Sequence, residues 1–299
     1  GLHLQPIIRI FNHPVRPNRM SPSGFRLRFR GAPSPAAGGF GAVAAVHSVR
    51  RRGQMDDESL QKIPLMNIKA AILSVLALLC SLCATAQYQY QIYPVDWKEL
   101  KTLVKEEPER VRELVRRIST PQRDTTLTYP DQIIAYFGQS LLTNDSEERL
   151  VHAMDQAYSE ENYAEALAQA EKVLAVNPVN IKALIRAAYA IANMREAGDE
   201  SHAHEEGQGY YSRAIRLLDT IAATGYGSEE HPFHVTKIAD EYLFMGHYLE
   251  LDAFGRQSLV DCCDVFELGK GNRLYPDSVI YFDATRVLEL EAAMFGGGK

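Results

Sequence analysis

The spacing of apolar residues is the strongest signal in this chain, and it is clearest in residues 162–194. Apolar residues recur there three and four positions apart, a spacing that predicts two amphipathic helices. Pro178 separates the two runs, because its ring cannot continue the first helix. Small residues fill the positions where the two helices meet, namely Ala166, Ala170, Ala187 and Ala188. The pattern therefore predicts a closely packed helical hairpin.

Further helices are predicted on both sides of this hairpin. Four predicted starts carry a capping residue or an N-terminal proline, namely Asp96, Pro108, Pro130 and Ser146. Residues 124–128 predict an extended link between the second and third of these helices. Residues 210–223 predict the second helix of another hairpin, in which Ala214 takes the place of Ala166.

The pattern changes after Gly225, and shorter elements follow. Residues 234–238, 258–268 and 279–282 predict strands, whereas residues 240–247 and 284–294 predict helices. The expected fold class is α+β and mainly α. Helical hairpins in residues 87–225 are capped by a small antiparallel β-sheet in residues 226–299, which packs on the helices.

The central hairpin resembles a tetratricopeptide repeat. Ala166, Ala170, Leu174 and Pro178 stand where such a repeat has its small, packing, aliphatic and terminating residues. The next hairpin departs from the usual period, because residues 195–208 form a Gly-, His- and Glu-rich insertion. The resemblance implies stacked helical hairpins with a concave surface.

Residues 66–86 have the pattern of a secretory signal peptide. A short basic segment containing Lys69 precedes fourteen apolar residues, and the sequence Ala84-Thr85-Ala86 is typical of a cleavage site. The apolar run is shorter than the ~20 residues of a membrane-spanning helix. We therefore expect cleavage between Ala86 and Gln87, a periplasmic or secreted product, and no stable membrane insertion afterwards.

Residues 1–65 lack a regular apolar pattern and are rich in Arg, Pro and Gly, so we expect them to be disordered. Signal peptides act at an N-terminus, and we therefore expect translation to start at Met66. In that case, residues 1–65 are upstream sequence read in frame. The alternative is a genuine N-terminal extension followed by an internal membrane anchor.

Charge and cysteine content narrow the class of function. The whole chain carries −6, and the basic leader makes the remainder more acidic still, which argues against a nucleic-acid partner. Two of the four cysteines, Cys262 and Cys263, lie in the part of the chain after the predicted signal peptide. They are adjacent in sequence, so a disulfide between them would be strained. At least one of them is expected to be a small buried hydrophobe.

An ordered set of short motifs resembles a family of secreted Gram-negative bacterial proteins, the domain of unknown function 4919 family. The motifs are the DTTLT link at 124–128, the NYAEAL…NP hairpin, Asp240-Glu241-Tyr242, the segment 257–260 and the closing segment 280–283. The resemblance covers residues 95–290. It implies an exported helical protein with a β-containing end, and it implies no activity.

The densest group of metal-ligand residue types is in residues 199–206, with the sequence DESHAHEE. A His-x-His pair with carboxylates suits a divalent metal. His231 and His234 are further ligands if the fold brings them close. The alternative is a solvated loop that binds nothing, because ligands need rigid support.

Several residues suggest an enzyme with a site between helices and sheet. His234, Asp240 and Glu241 are candidate acid–base groups. The alternatives are that Asp240 caps a helix, that Tyr242 belongs to the core, and that Asp283 caps the last helix. Cys262 and Cys263, between Asp261 and Asp264, lack a nearby His to activate a thiol. No motif assigns a catalytic, cofactor-binding or metal-binding residue.

The favoured hypothesis is therefore a non-catalytic module that binds a protein or peptide in the groove of the helical array; the alternative is a hydrolase-type enzyme or a metal binder. Five residues are expected to line the groove, namely Ala183, Arg186, Ala187, Tyr189 and Ala190. A competing possibility is that the protein's own chain fills the groove, through residues 87–95 or the His-rich loop.

Overall fold

The structure is a computed structural model that describes residues 91–251 and 254–296, with side chains as far as residue 293. The predicted leader, the predicted signal peptide and residues 87–90 lie outside the described residues. Within the described ranges, no helix has both the length and the apolar composition needed to span a membrane. The described part is mainly helical, with a four-stranded sheet near its C-terminal end.

Seven helices precede the sheet in the described part. They are α1 (Trp97–Glu106), α2 (Pro108–Ile118), α3 (Tyr129–Thr143), α4 (Glu148–Ser159), α5 (Tyr163–Val176), α6 (Ile181–Glu196) and α7 (His204–Ala222). The rest comprises β1 (Phe233–His234), α8 (Ile238–Leu243), a π-helix (Phe244–Tyr248), β2 (Gln257–Val260), β3 (Cys263–Glu267), β4 (Val279–Asp283) and α9 (Thr285–Gly296).

Local capping explains why most helices begin where the sequence predicts. The Asp96 carboxylate accepts the backbone N–H groups of Lys98 and Glu99, at 3.0 and 2.9 Å. Thr128 and Asp131 cap α3 reciprocally, which satisfies two donors that the first turn leaves unpaired. These contacts need only neighbouring residues, and they confirm the predicted starts of α1 and α3.

The predicted starts of α4 and α7 are wrong. Ser146 does not cap α4, which begins at Glu148 after an N-cap residue, Glu147, that makes no side-chain capping bond. Helix α7 begins at His204, six residues before the predicted Tyr210. Half of the predicted insertion at 195–208 is therefore helical, and residues 197–203 link α6 to α7.

The central hairpin has the predicted close packing. Ala166 and Ala170 on α5 have no solvent exposure, and neither do Ala187 and Ala188 on α6. Helix α6 packs against both α5 and α7, so its small side chains face neighbouring helices on two sides. Alanine at these positions lets the backbones approach closely, which larger side chains would prevent.

The sheet has the strand order β1-β4-β3-β2 and is mixed rather than wholly antiparallel. Strands β2 and β3 are antiparallel, as are β3 and β4, but the two-residue β1 pairs with β4 in parallel. The predicted single strand over residues 258–268 is wrong, because a two-residue turn divides it. Asp261 in that turn takes a left-handed conformation, with φ 54°, which Asp tolerates better than most residues.

One hydrophobic core joins the sheet to the helices within the described part of the chain. Aromatic rings form its C-terminal portion: the rings of Phe233 and Phe244 lie 4.7 Å apart, and the Phe266 and Phe282 rings lie 5.9 Å apart. Phe244 belongs to the π-helix, whereas the other three rings come from strands. The π-helix is thereby fixed between the sheet and α7.

Candidate functional site

Five side chains from four elements form a half-buried cluster that we call the tyrosine patch, namely Tyr158, Arg186, Tyr189, Tyr211 and His247. Tyr158 lies on α4, Arg186 and Tyr189 lie on α6, Tyr211 lies on α7 and His247 lies on the π-helix. Two of the five, Arg186 and Tyr189, are predicted groove residues. The structure therefore brings the polar part of the predicted groove together with residues that the sequence analysis did not identify.

Arg186 is held in place on two sides. Its guanidinium carbon lies 4.3 Å from the centre of the Tyr158 ring, a cation–π distance. Its Nε donates to the Asp155 carboxylate at 3.3 Å, and the Lys182 ammonium contacts the other oxygen of that carboxylate. Arg186 is therefore fixed by a ring face and an ion pair that use only part of its hydrogen-bonding capacity.

Tyr189, Tyr211 and His247 form the other half of the patch. The two tyrosine rings are stacked with centroids 6.5 Å apart, and His247 Nδ1 lies 3.5 and 3.4 Å from their hydroxyl oxygens. Burial raises the pKa of both tyrosines and, with the nearby charge of Arg186, lowers the pKa of His247. The two hydroxyl groups are therefore protonated and the imidazole is neutral at pH 7.

The predicted groove differs from the structure in its small residues. Ala183, Ala187 and Ala190 have zero exposure, so they belong to the core and line no open surface. The π-helix places His247 beside Tyr189 of α6. The part of residues 87–95 that is described runs elsewhere: the Tyr93 N–H donates to the carbonyl of Ala223 at the end of α7.

The predicted metal-binding segment is spread out in the structure. His202 Nδ1 lies 3.1 Å from the Glu206 carboxylate, whereas His204 faces Gln208 at 2.7 Å. Asp199 accepts the N–H of Ser201, as in a tight turn. Throughout the described ranges, no group of three or more His, Cys, Asp or Glu side chains is arranged to hold a metal ion. His231 packs against the Tyr226 ring instead of joining this segment.

The three candidate acid–base residues do not converge. Asp240 is the third residue of α8 and not its cap, since the helix begins at Ile238. Its carboxylate accepts hydrogen bonds from Tyr136 at 2.6 Å and Thr236 at 3.1 Å. Burial raises the pKa of Asp240, which these hydrogen bonds only partly offset.

Glu241 points to a different set of partners. It has no solvent exposure, and its carboxyl contacts the carboxyl of Asp264 on β3. Burial and the charge of Asp264 raise the pKa of Glu241 well above its usual range. Tyr242 packs against Phe266 and donates to Gln257 at 2.8 Å, so its ring borders the core as the sequence analysis expects.

His234 and Cys263 lie on either side of Asp283 in the sheet. Asp283 is the register partner of His234 on β1 and of Cys263 on β3. His234 Nδ1 is 3.7 Å from the Asp283 carboxylate, and burial lowers the pKa of His234. Burial, together with Asp283, raises the pKa of Cys263 to about 11. A thiol activated for catalysis needs an adjacent base and a depressed pKa, and this row provides neither.

The remaining predicted residues have ordinary positions. Cys262 is exposed in the hairpin turn and Cys263 is half-buried, so neither is the fully buried hydrophobe that the sequence analysis expects. Both are free thiols. The Asp283 carboxylate accepts the N–H of Thr285 at 2.9 Å, which confirms its predicted capping of the last helix.

A buried polar cluster around Lys237 escaped the sequence analysis. The Lys237 ammonium lies 2.6 Å from Asp145 and 3.4 Å from the buried Glu147. Burial opposes ionisation of Glu147, but Lys237 and the amide of Asn177 hold its pKa below the usual value. The adjacent cavity measures about 10 Å³, which is room for about one water molecule. The cluster therefore ties the helices to the β1–α8 segment and leaves no room for an organic ligand.

The sequence gives no signal for the π-helix and only one weak signal for the Lys237 cluster. A π-helix is one extra residue inserted in a helical turn, and nothing in the spacing around His247 indicates it. Lys237 and Glu147 are far apart in the chain, so their pairing depends on the tertiary fold. The single cue was Asn177 before Pro178, whose amide donates to Glu147 at 2.6 Å.

The fold and these sites describe a mainly helical α+β protein with a mixed four-stranded sheet near its C-terminal end. The family model described as domain of unknown function (DUF4919) matches residues 98–293, and the chain belongs to this family. This match confirms the family that the sequence motifs indicated. No curated protein and no solved structure matches the chain.

Proposed function

We propose that this protein is an exported, non-catalytic module that binds a partner protein or peptide, and that the tyrosine patch is its contact surface. The observation that supports the proposal most directly is the composition of the patch. Tyr and Arg are enriched among the residues that contribute most to protein–protein binding. Three tyrosines, an arginine and a histidine meet here on α4, α6, α7 and the π-helix.

The physical state of these side chains also supports binding. Each remains partly accessible, so a partner can contact it without displacing the core. Each is also restrained by its neighbours: Arg186 by Tyr158 and Asp155, and Tyr189 by Tyr211. Side chains that are already ordered lose less conformational entropy on binding, which favours affinity.

Export is the second part of the proposal. Residues 66–86 support it through their basic start, apolar run and Ala-x-Ala end. Residues 87–299 carry a net negative charge, and this charge favours protein partners over nucleic acid. A protein partner outside the cytoplasm is consistent with export. We place the mature protein in the periplasm or outside the cell.

Site-specific photo-crosslinking tests the proposed contact surface. The full chain is produced in its own host with a photoreactive phenylalanine at Tyr211, and a matched chain carries it at Glu113, an exposed position on α2. We expect a discrete protein adduct from the Tyr211 position that the Glu113 position does not give. The captured protein, once purified, should bind the unmodified chain at least ten times more tightly than the Tyr189→Ala variant.

Circular dichroism of the Tyr189→Ala variant controls for loss of fold. Adducts of equal yield and identity from both positions would contradict the proposal, as would equal affinity of the captured protein for both chains. The absence of any adduct from the Tyr211 position would also count against this surface.

A further inference from the structure

We infer that Arg186 is the anchor of the tyrosine patch, and that it binds a carboxylate of an Asp or Glu side chain on an extended peptide segment of the partner. The inference rests on the proposed function and specifies the chemistry recognised at the same surface. It follows from the free hydrogen-bonding edge of this guanidinium and from the way in which the guanidinium is held.

The two terminal nitrogens of Arg186 donate to no protein acceptor among the described residues. Its single protein hydrogen bond runs from Nε to Asp155, and its side chain is 26% exposed. The buried arginines differ: Arg216 donates from Nη1 and Nη2 to backbone carbonyls, and Arg286 donates from both to protein oxygens. Arg186 thus keeps its forked end available to a bound group.

That forked end is oriented before any ligand arrives. The face of the guanidinium lies against Tyr158, and the Nε edge is fixed on Asp155. Two parallel N–H donors then remain on the outer edge, and their spacing matches the two oxygens of a carboxylate. Because the fork is preorganised, little entropy is lost when it forms both hydrogen bonds.

The local charges favour an anion at the centre of the patch. Lys182 and Arg186 share one carboxylate, that of Asp155, which leaves one positive charge in excess. Arg186 is the charged group that acts on both Tyr189 and His247. Among the described residues, Asp155 is the acidic group in contact with Arg186, and the charge of Glu250 acts on Tyr211. Glu161 and Glu196 act on Tyr163, which lies outside the patch.

A carboxylate fits this site better than a phosphate does. Phosphate groups on proteins are usually bound by clusters of arginines that match their higher charge. The centre of the patch offers one arginine, a neutral imidazole and tyrosine hydroxyls. The tyrosine rings beside the guanidinium provide apolar contact for the residues that flank the acidic side chain.

Two peptide pools test the inference. One pool contains nine-residue peptides with Glu fixed at the fifth position and all other positions randomised, and the matched pool has Gln there. Both pools have amidated C-termini and a fluorescent label, and binding to the full chain is measured by anisotropy. We expect the Glu pool to bind about ten times more tightly, as a charge-assisted hydrogen bond predicts.

Two variants distinguish specific binding by Arg186 from a general electrostatic attraction of the peptide to positive charge. Arg186→Gln should abolish the preference for Glu over Gln, whereas Lys182→Gln, four residues earlier on the same helix, should retain it. Asp155 keeps one cationic partner in each variant, so both should fold, and circular dichroism checks this. Addition of inorganic phosphate at the same ionic strength should displace no more peptide than chloride does.

The outcomes distinguish the inference from the proposed function. Equal binding of both pools to the wild-type chain, with loss of binding in Tyr189→Ala, would overturn the role of Arg186 and retain the patch as a contact surface. Retention of the Glu preference in Arg186→Gln, or displacement specifically by phosphate, would also overturn the inference. No binding of either pool would count against both.

Discussion

The carboxyl group of Glu241 is the most unusual single group in the described structure. It is fully buried, it lies against the carboxyl of Asp264, and no fixed N–H or O–H donor reaches either of its oxygens. Two carboxylates in contact, here a fully buried one and the half-buried Asp264, repel each other unless they share a proton. The pKa of each is accordingly raised, mainly by burial. The folded protein therefore retains a proton that the unfolded chain releases near pH 4.3.

The contribution of this carboxyl pair to the stability of the fold should consequently decrease as the pH rises. The contribution of the shared proton is fully present below the usual carboxyl pKa, and it is lost as the pH rises toward the raised pKa of the folded pair. In Glu241→Gln, the amide donates to Asp264 without titrating. We expect this variant to be more stable than wild type at pH 7 by about 1–3 kcal/mol, with a much smaller difference at pH 4.

Urea unfolding at pH 4, 5.5 and 7 measures this difference. The control is Glu267→Gln, an exposed position on the same hairpin, which should follow the wild-type pH profile. Parallel profiles for Glu241→Gln and wild type would show that the carboxyl pair does not titrate between the folded and unfolded states.

The chemistry of individual residues was only partly predictable. The sequence identified Asp240 and Glu241 as ionisable groups worth attention, but their different partners, Tyr136 and Asp264, come from elements far away in the chain. Arg186 and Tyr189, which the helical spacing assigns to the groove, are both half-buried on α6. Their neighbours Tyr211 and His247 follow from packing, which a helical period cannot show.

At the scale of elements, the turn after α7 directs the chain into the sheet, and it requires glycine at position 225. A Cβ at Gly225 would lie 2.2 Å from the carbonyl oxygen of Pro232 and 2.6 Å from that of His231. Both atoms belong to backbone, which cannot rotate away. Gly209, within α7, has no atom within 4 Å of an added Cβ.

Substitution of these two glycines by alanine should therefore change the stability of the protein in opposite directions. We expect Gly225→Ala to destabilise the protein by about 2 kcal/mol or more, because the backbone must shift and core packing is lost. Gly209→Ala should stabilise it by about 0.5–1 kcal/mol, since alanine is the better helix former. Thermal unfolding of both variants measures these two changes in stability. If both substitutions destabilised the protein, the open surroundings of Gly209 would be contradicted.

Element boundaries were predictable where they depend on nearby residues. The caps at Asp96 and Thr128 and the prolines at helix starts act over three or four residues, so the sequence contains the whole interaction. Strand pairing is different, since β1 and β4 are about fifty residues apart in the chain. Their parallel pairing, and the turn at Asp261, depend on contacts that a strand period does not specify.

At the scale of the whole molecule, helices and sheet share a continuous hydrophobic core in the described ranges. The mainly helical α+β class was predictable, because apolar spacing changes from helical to strand-like after Gly225. The contacts between the two parts were not. They include the Tyr136–Asp240 hydrogen bond and the Lys237 ion pairs, each between residues about ninety or more positions apart.

A shared core implies that a destabilising substitution in the sheet also lowers the stability of the N-terminal helices. Ile280, on β4, is fully buried, and Ile280→Val should cost about 0.5–1.5 kcal/mol. For a body of this size, that lowers the melting temperature by roughly 2–4 °C per kcal/mol. Trp97 on α1 is the chain's one tryptophan, so its fluorescence reports the N-terminal helices.

We expect the transition reported by Trp97 to move with the circular dichroism transition at 222 nm and by the same amount, because unfolding of a single core is cooperative. Leu259→Ala is the control: this side chain on the edge strand is 49% exposed, so both midpoints should stay close to those of wild type. If Ile280→Val shifted the 222 nm signal while the Trp97 midpoint stayed constant, the sheet would unfold separately. The tyrosine patch would then span two cooperative units. His247 would unfold together with the sheet, whereas Tyr158 would unfold together with the N-terminal helices.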